Sequence, residues 1–210
     1  MAVTTDAIAA EETEDPRITR SKAALRTALI ELMEERGFDS LTVNDICVRA
    51  GLNRGTFYNH YRDKETLLLS FEDEIFSELE LFQQHMRTIR VKDIMRHRFS
   101  KKPFPFLVDL FSYLREHGEF LHAVIGPGGD VRFGPRLRQA VCDDLIMSVL
   151  HDRYRENPTP FVDYYVAYFA SAYLGVIGRW IETGMKESPE EMAAIATRLL
   201  FIRPGESITM

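Results

Sequence analysis

The sequence predicts an all-α fold: an N-terminal three-helix unit carrying a helix-turn-helix, followed by a larger C-terminal helical domain, with about nine helices in all. Three observations predict it. Apolar residues recur at helical spacing along most of the chain. Capping and stop residues fall at the ends of those periodic stretches. No alternating strand pattern, internal repeat or coenzyme-type glycine loop is present.

Residues 1–16 read as an acidic, Ala/Thr-rich tail ended by Pro16. Residues 17–65 form the helix-turn-helix unit. Its first helix starts near Thr19, carries Leu25, Ala28, Leu29, Leu32 and Met33 at helical spacing, and stops at Gly37. Thr42 caps a short second helix, with Asp45 three residues on as an acidic capping box, ending at Ala50–Gly51. Asn53 caps a third helix running to about Tyr61, and Asp63 caps a fourth with the stripe Leu68, Phe71, Ile75, Leu79, Phe82 and Met86. Residues 66–210 are the second domain. A loop over 91–103 carries Arg96, Arg98, Lys101 and Lys102. Helical patterns follow over 104–117 and 119–125, interrupted by Gly126-Pro127-Gly128-Gly129. Further helices run from Pro135 to Arg155, from Phe161 to Gly184, and from the Ser188 cap with Pro189 to about Ile202. The Phe161–Gly184 helix is apolar nearly all round, so it is central or at an interface.

Composition excludes several classes of function. The chain has 210 residues, 45% of them hydrophobic, and a net charge of −6. Residues 1–15 hold five acids and no base, whereas residues 16–66 hold nine Lys/Arg against seven Asp/Glu. A mildly basic segment thus sits between an acidic tail and an acidic body. Two cysteines, Cys47 and Cys142, without a CxxC, do not make a disulfide scaffold and fit a reduced, cytoplasmic setting. No basic region precedes an apolar leader, and the longest uncharged run, Tyr164 to Gly178, falls short of the roughly 20 residues a bilayer requires. No membrane segment is expected. His85, His97, His117, His122 and His151 include no pair at i,i+4 spacing and have no neighbouring cysteine. No nucleophile-elbow serine or spaced carboxylate pair occurs, and Asp143-Asp144 point in different directions. The sequence specifies no metal, no cofactor and no catalytic site, and it does not read as an enzyme.

The informative stretch is TVNDICVRAGLNRGTFYNHYRDK, residues 42–64. Two short helices joined by a tight Ala50-Gly51-Leu52 turn suit DNA binding. Gly51 takes a left-handed conformation at little cost. Ile46, Val48, Ala50, Leu52 and Phe57 are expected to form the small core that sets the angle between the helices. The third helix then presents side chains to a major groove: Arg54 for guanine or phosphate, Thr56 with a hydroxyl and a methyl, and Tyr58, Asn59, His60 and Tyr61 for phosphate or base edges. Lys64, at the start of the fourth helix, is placed to hold a phosphate.

Residues 19–68 resemble the DNA-binding domain of the tetracycline-repressor-like (TetR/AcrR) family. The resemblance rests on Thr42, Ile46, Ala50, Gly51, Leu52, Gly55, Thr56, Tyr58, His60, Tyr61, Lys64 and Leu67 at the family's fixed offsets. It implies an all-helical homodimer that binds a palindromic double-stranded DNA operator, usually as a repressor, and is released by a small molecule in the C-terminal domain. It places Thr42, Arg54, Thr56, Tyr58, His60, Tyr61 and Lys64 at or near DNA. Asn53 and Asn59, at variable positions, become candidates for operator choice. Arg17, Arg20 and Lys22 would follow the DNA backbone or a minor groove.

The resemblance also assigns roles in the second domain. Phe104, Phe111, Tyr113, His117, Phe120, Tyr165, Tyr168 and Phe169 fall in helices that surround a ligand pocket in this family. Together they suit an apolar or aromatic effector. Ile177, Trp180 and Ile181, with Met192, Ile195 and Leu199 of the last helix, are the candidate dimer seam. Control by a protein partner, through the Gly126–Gly129 loop or the basic 96–102 loop, is the alternative to a small molecule.

Overall fold

The computed structural model describes residues 15–86, 102–140 and 159–199. The tail over 1–14, the basic positions 96, 98 and 101, the histidines at 97 and 151, Cys142, Asp143-Asp144, and the sequence-read helix beyond 140 all lie outside the described residues, as do the side chains of His85 and Met86.

The described residues form nine α-helices. They are α1 (Pro16–Arg36), α2 (Val43–Ala50), α3 (Arg54–Tyr58), α4 (Lys64–Met86), α5 (Pro105–Glu116), α6 (Gly118–Ile125), α7 (Phe133–Ala140), α8 (Pro160–Glu182) and α9 (Pro189–Leu199), with one 3-10 turn at Phe38–Ser40. Helix α1 begins at Pro16, three residues before the expected start. The Asp15 carboxylate accepts the Arg17 N–H at 2.9 Å, and proline suits the first helical position. Gly37 closes α1 at φ 76°.

The capping residues read from sequence are in place. Thr42 and Asp45 form a reciprocal capping box on α2. Gly51 ends α2 in the left-handed region at φ 66°. Asp63 Oδ1 accepts the Thr66 N–H at 2.7 Å and the Thr66 hydroxyl at 2.5 Å. These bonds, with Arg62 beside it, pull the Asp63 carboxyl down to about 2. Ser188 and Glu191 cap α9 reciprocally. Asp63→Ala is expected to lower the urea midpoint at neutral pH, because the first turn of α4 loses its cap. Because the folded pKa is depressed, that contribution is present above the ordinary value of 3.8 and disappears as pH falls through about 2. Urea denaturation at pH 7 and at pH 2 checks both statements.

Helix α1 buries Leu25, Ala28, Leu29, Leu32 and Met33. Its C-terminal half packs on α2, and its outer face packs on α6 of the second domain. Helix α4 runs out of the head and packs on α5 and α7. Helix α5 packs most extensively on α9, burying Leu107, Leu110, Phe111 and Leu114. The core is continuous from head to body.

Helix α8, expected to be central or at an interface, is buried on one face only. Val162, Val166, Ala170, Trp180 and Ile181 face inward, while Phe161, Tyr164, Tyr165 and Tyr168 are exposed. By length and composition alone, its 23 residues reach what a bilayer crossing requires. The sequence estimate differed because it counted only the uncharged run.

Candidate nucleic-acid interface

The head presents a five-residue helix, α3, held at both ends. At its start the Asn53 side-chain oxygen accepts the Thr56 N–H at 2.8 Å and the Thr56 hydroxyl at 3.1 Å. At its end the Phe57 carbonyl accepts the N–H groups of His60 and Tyr61 at 3.0 and 2.9 Å. Phe57 is wholly buried and anchors the helix to the head core. Its ring meets Tyr58 edge-on at 5.5 Å and Tyr61 at 5.9 Å.

Tyr58, one residue on, points outward and is 49% exposed. Arg54 lies one turn before it on the same face. Its guanidinium donates to the Tyr58 hydroxyl at 3.3 Å and lies 5.7 Å from the ring centroid. That hydrogen bond raises the Arg54 pKa further. A fixed cation and a phenol are therefore offered together to whatever meets this face. Asn59 is exposed and His60 half-buried beside them. Thr42 lies at the start of α2, its hydroxyl donating to Asp45 Oδ2 at 2.7 Å.

One sequence expectation is corrected by the geometry and two are narrowed. Val48 is 73% exposed and is no part of the head core; Ile46 and Cys47 fill that place. Tyr61 is 7% exposed, its ring packed inside, so no more than its edge is left to a ligand. Lys64 donates to the carbonyls of Phe38 and Asp39 at 2.9 and 3.1 Å and lies over the Phe38 ring at 4.7 Å. It fastens the 3-10 turn to α4, which competes with holding a phosphate.

Sequence reasoning missed Arg49. Its guanidinium binds Glu35 with two bonds of 2.8 and 2.9 Å and Glu31 at 2.9 Å, tying α2 to α1. The Arg49 bond also holds the Glu35 carboxyl below its ordinary value. The i,i+14 and i,i+18 separations across a turn leave no periodic signal for such a contact. Cys47 is buried, and burial pushes its thiol up, which keeps it protonated.

A short capped helix with a buried anchor and an exposed Arg–Tyr pair, following a tight αL turn, is the geometry of a DNA-reading helix-turn-helix. Residues 21–71 match the family described as bacterial regulatory proteins, tetR family, and residues 101–201 match a transcriptional regulator C-terminal region of the same group. The chain belongs to the TetR family. It is a DNA-binding transcriptional regulator. An uncharacterized HTH-type transcriptional regulator of Bacillus subtilis (strain 168), YxbF, is 36% identical over 59 residues, which span 28% of this chain and 16% of that relative. Among solved structures, the fatty acid degradation regulator FadR from Bacillus halodurans aligns with a TM-score of 0.63 at 15% identity, covering 93% of this chain and 100% of that one. A SmeT–triclosan complex aligns with a TM-score of 0.58 at 15% identity, covering 88% and 93%. At such identities the solved structures show a shared fold.

The second domain of this TetR-family chain scatters the eight residues expected around a ligand. Phe104, Phe111 and Phe120 are core residues, packed against Phe106, Trp180 and Phe71 respectively. Tyr165 and Tyr168 lie on the exposed face of α8, with Phe169 half-buried between them. Tyr113 and His117 alone among them line a groove of about 690 Å³ between α4 and α5, which lies open to solvent. That groove carries Asp73, Glu74, Glu78 and Glu116, which give it an acidic character. Desolvation, with Glu78 nearby, pushes the Tyr113 hydroxyl up to about 12.

The candidate dimer seam is likewise divided. Trp180, Ile181 and Met192 are inside the chain's own core, with the Trp180 ring edge-on to Phe111 at 5.4 Å and its N–H donating to the Glu187 carbonyl. Ile177 and Ile195 are half-buried, and Leu199 is 40% exposed.

Proposed function

We propose that this chain is a homodimeric, effector-released repressor whose two heads read a palindromic operator. The observation that carries the reading is the Arg54–Tyr58 pair, exposed on a helix whose neighbouring residue Phe57 is locked in the core. Arg54, Tyr58, Asn59 and His60 are the proposed groove contacts, with Asn53, Thr56 and Thr42 at the helix starts and Tyr61 and Lys64 supporting them. A C₂ dimer matches a palindrome, with half-sites about 34–36 Å apart.

The proposed seam runs along the aromatic face of α8, where Phe161, Tyr164 and Tyr168 are 69–78% exposed. It takes the place of Trp180, Ile181 and Met192, which their own chain already covers. The effector is proposed to be a small apolar or aromatic molecule. That a protein of the same fold occurs in a complex with triclosan supports it. Ligand binding would favour the state whose heads are misplaced for DNA. Control by a protein partner is the second reading, and the open groove between α4 and α5, with its four carboxylates, is the surface that supports it.

Selection of bound sequences from a random duplex pool, with salt varied, tests the reading. Recovery of a palindrome, with affinity falling steeply as salt rises, is the expected result; recovery of no motif at low salt contradicts it. Against the recovered site, Tyr58→Ala is expected to lose about 1–3 kcal/mol of binding, measured by fluorescence anisotropy. Unchanged affinity would remove α3 from the groove.

A further inference from the structure

From residue 26 to residue 62 the chain carries Arg26, Arg36, Arg49, Arg54 and Arg62, and one of them stands apart. Arg26 pairs with Glu74, Arg36 with Asp45, Arg49 with Glu31 and Glu35, and Arg62 with Asp63. Among the described residues no carboxylate pairs with Arg54. Its guanidinium rests on the Tyr58 hydroxyl and ring alone, and that bond occupies one Nη group. The rest of the planar fork keeps its donors, in the first turn of the reading helix, where side chains face base edges.

Asn53 stands next to Arg54 and is equally exposed, but its chemistry is already committed. Both acceptor positions of its side-chain oxygen are filled, by the Thr56 N–H at 2.8 Å and the Thr56 hydroxyl at 3.1 Å. Reading adenine takes one amide oxygen and one amide N–H together, and reading cytosine takes an acceptor. Asn53 has only its NH₂ left, a donor suited to a phosphate oxygen. Gly55 protects this arrangement: a Cβ there would lie 3.2 Å from the capping oxygen of Asn53. The glycine also leaves the exposed surface between Arg54 and Thr56 bare, so the backbone can approach a groove closely.

Resting on the operator-binding reading above, we propose that Arg54 specifies a guanine in each half-site, that the Tyr58 hydroxyl is its positioning residue, and that Asn53 caps α3 without choosing a base. A guanidinium meets guanine O6 and N7, two acceptors side by side, with two parallel N–H bonds. Adenine and cytosine present an amino donor at one of those places, and thymine offers a single acceptor. Tyr58 holds one edge of the fork one turn away, so less rotamer freedom is lost when the other edge meets the base.

Selection from a random duplex pool, repeated with the full-length parent, Arg54→Gln, Tyr58→Phe and Asn53→Ser, tests this. The parent is expected to select a guanine at one fixed position of each half-site. Arg54→Gln is expected to lose that guanine by about tenfold or more in relative affinity, in favour of adenine, whose N6 and N7 match an amide, with every other position kept. Tyr58→Phe keeps the ring and is expected to cut the guanine preference about threefold, at that position only. Asn53→Ser retains a capping oxygen and is expected to weaken all sequences evenly, with the same preferred bases. A guanine that survives Arg54→Gln, with affinity lowered evenly and a shallower salt dependence, makes Arg54 a phosphate contact and overturns the assignment. So does a parent motif with no fixed guanine. A changed base preference in Asn53→Ser overturns the role given to Asn53, and an undiminished guanine preference in Tyr58→Phe overturns the role given to its hydroxyl. No motif from the parent overturns the operator-binding reading itself, whereas a half-site with its guanine but no mirror copy upholds Arg54 and overturns the palindrome.

Discussion

Phe57→Ala is expected to destabilise the head by about 3–5 kcal/mol and to abolish DNA binding with it. Phe57 has no exposed surface and belongs to the buried core, where the reading helix packs on α2. Removing its ring leaves a cavity that neither Tyr58 nor Tyr61 fills, because each is already placed against it at 5.5 and 5.9 Å. A five-residue helix has no stability of its own to fall back on. A loss of this size is a large part of the roughly 5–15 kcal/mol that holds a domain folded. The neighbouring substitution separates the two roles. Tyr58→Ala is expected to leave the thermal transition within about 0.5 kcal/mol of the parent while DNA affinity falls. Equal destabilisation by both would mean that the exposed and buried positions of α3 have been exchanged.

Local chemistry was legible in the sequence, and contacts across long separations were not. The caps at Thr42, Asn53, Asp63 and Ser188 are settled within three residues of themselves, as is the left-handed Gly51. Even the error at Val48 was decidable from spacing. Val43, Ile46, Cys47 and Ala50 stand at i, i+3, i+4 and i+7, and Val48 lies off that stripe. Helix α8 repeats the lesson, since Val162, Val166, Ala170 and Tyr173 continue to Ile177 and Trp180 on one face. That places the tryptophan inward and Tyr164 and Tyr168 outward. By contrast, Arg136 meets Glu72 across 64 residues and Gly128 meets Phe38 across 90. Neither pairing leaves a trace in periodicity. The ligand candidates have the same difficulty: an aromatic residue in a helical core and one lining a pocket obey the same spacing, and only packing separates them.

Glu72 is expected to make the folded state less stable as pH rises through neutrality. Its side chain is fully buried, one carboxylate oxygen meets Arg136, and Oε1 has no partner. Burial, then the like charge of Asp130, pushes its carboxyl up to about 7, against the pull of Arg136 and Arg132. Between the ordinary value of 4.5 and about 7, the folded chain holds a proton that the unfolded chain has lost. Stability therefore falls with rising pH across that window, by up to about 3 kcal/mol at 1.36 kcal/mol per unit. Glu72→Gln lacks this fall, so urea midpoints of parent and variant should lie close near pH 5 and diverge by pH 8, with the variant more stable. A parent midpoint that rises relative to the variant would mean that the two arginines outweigh burial. A charged pair that adds little or negative stability still selects one arrangement of two helices, because any other leaves a buried carboxylate alone. At the junction of α4 and α7 that selectivity keeps Arg136 on α4 and α4 in one register.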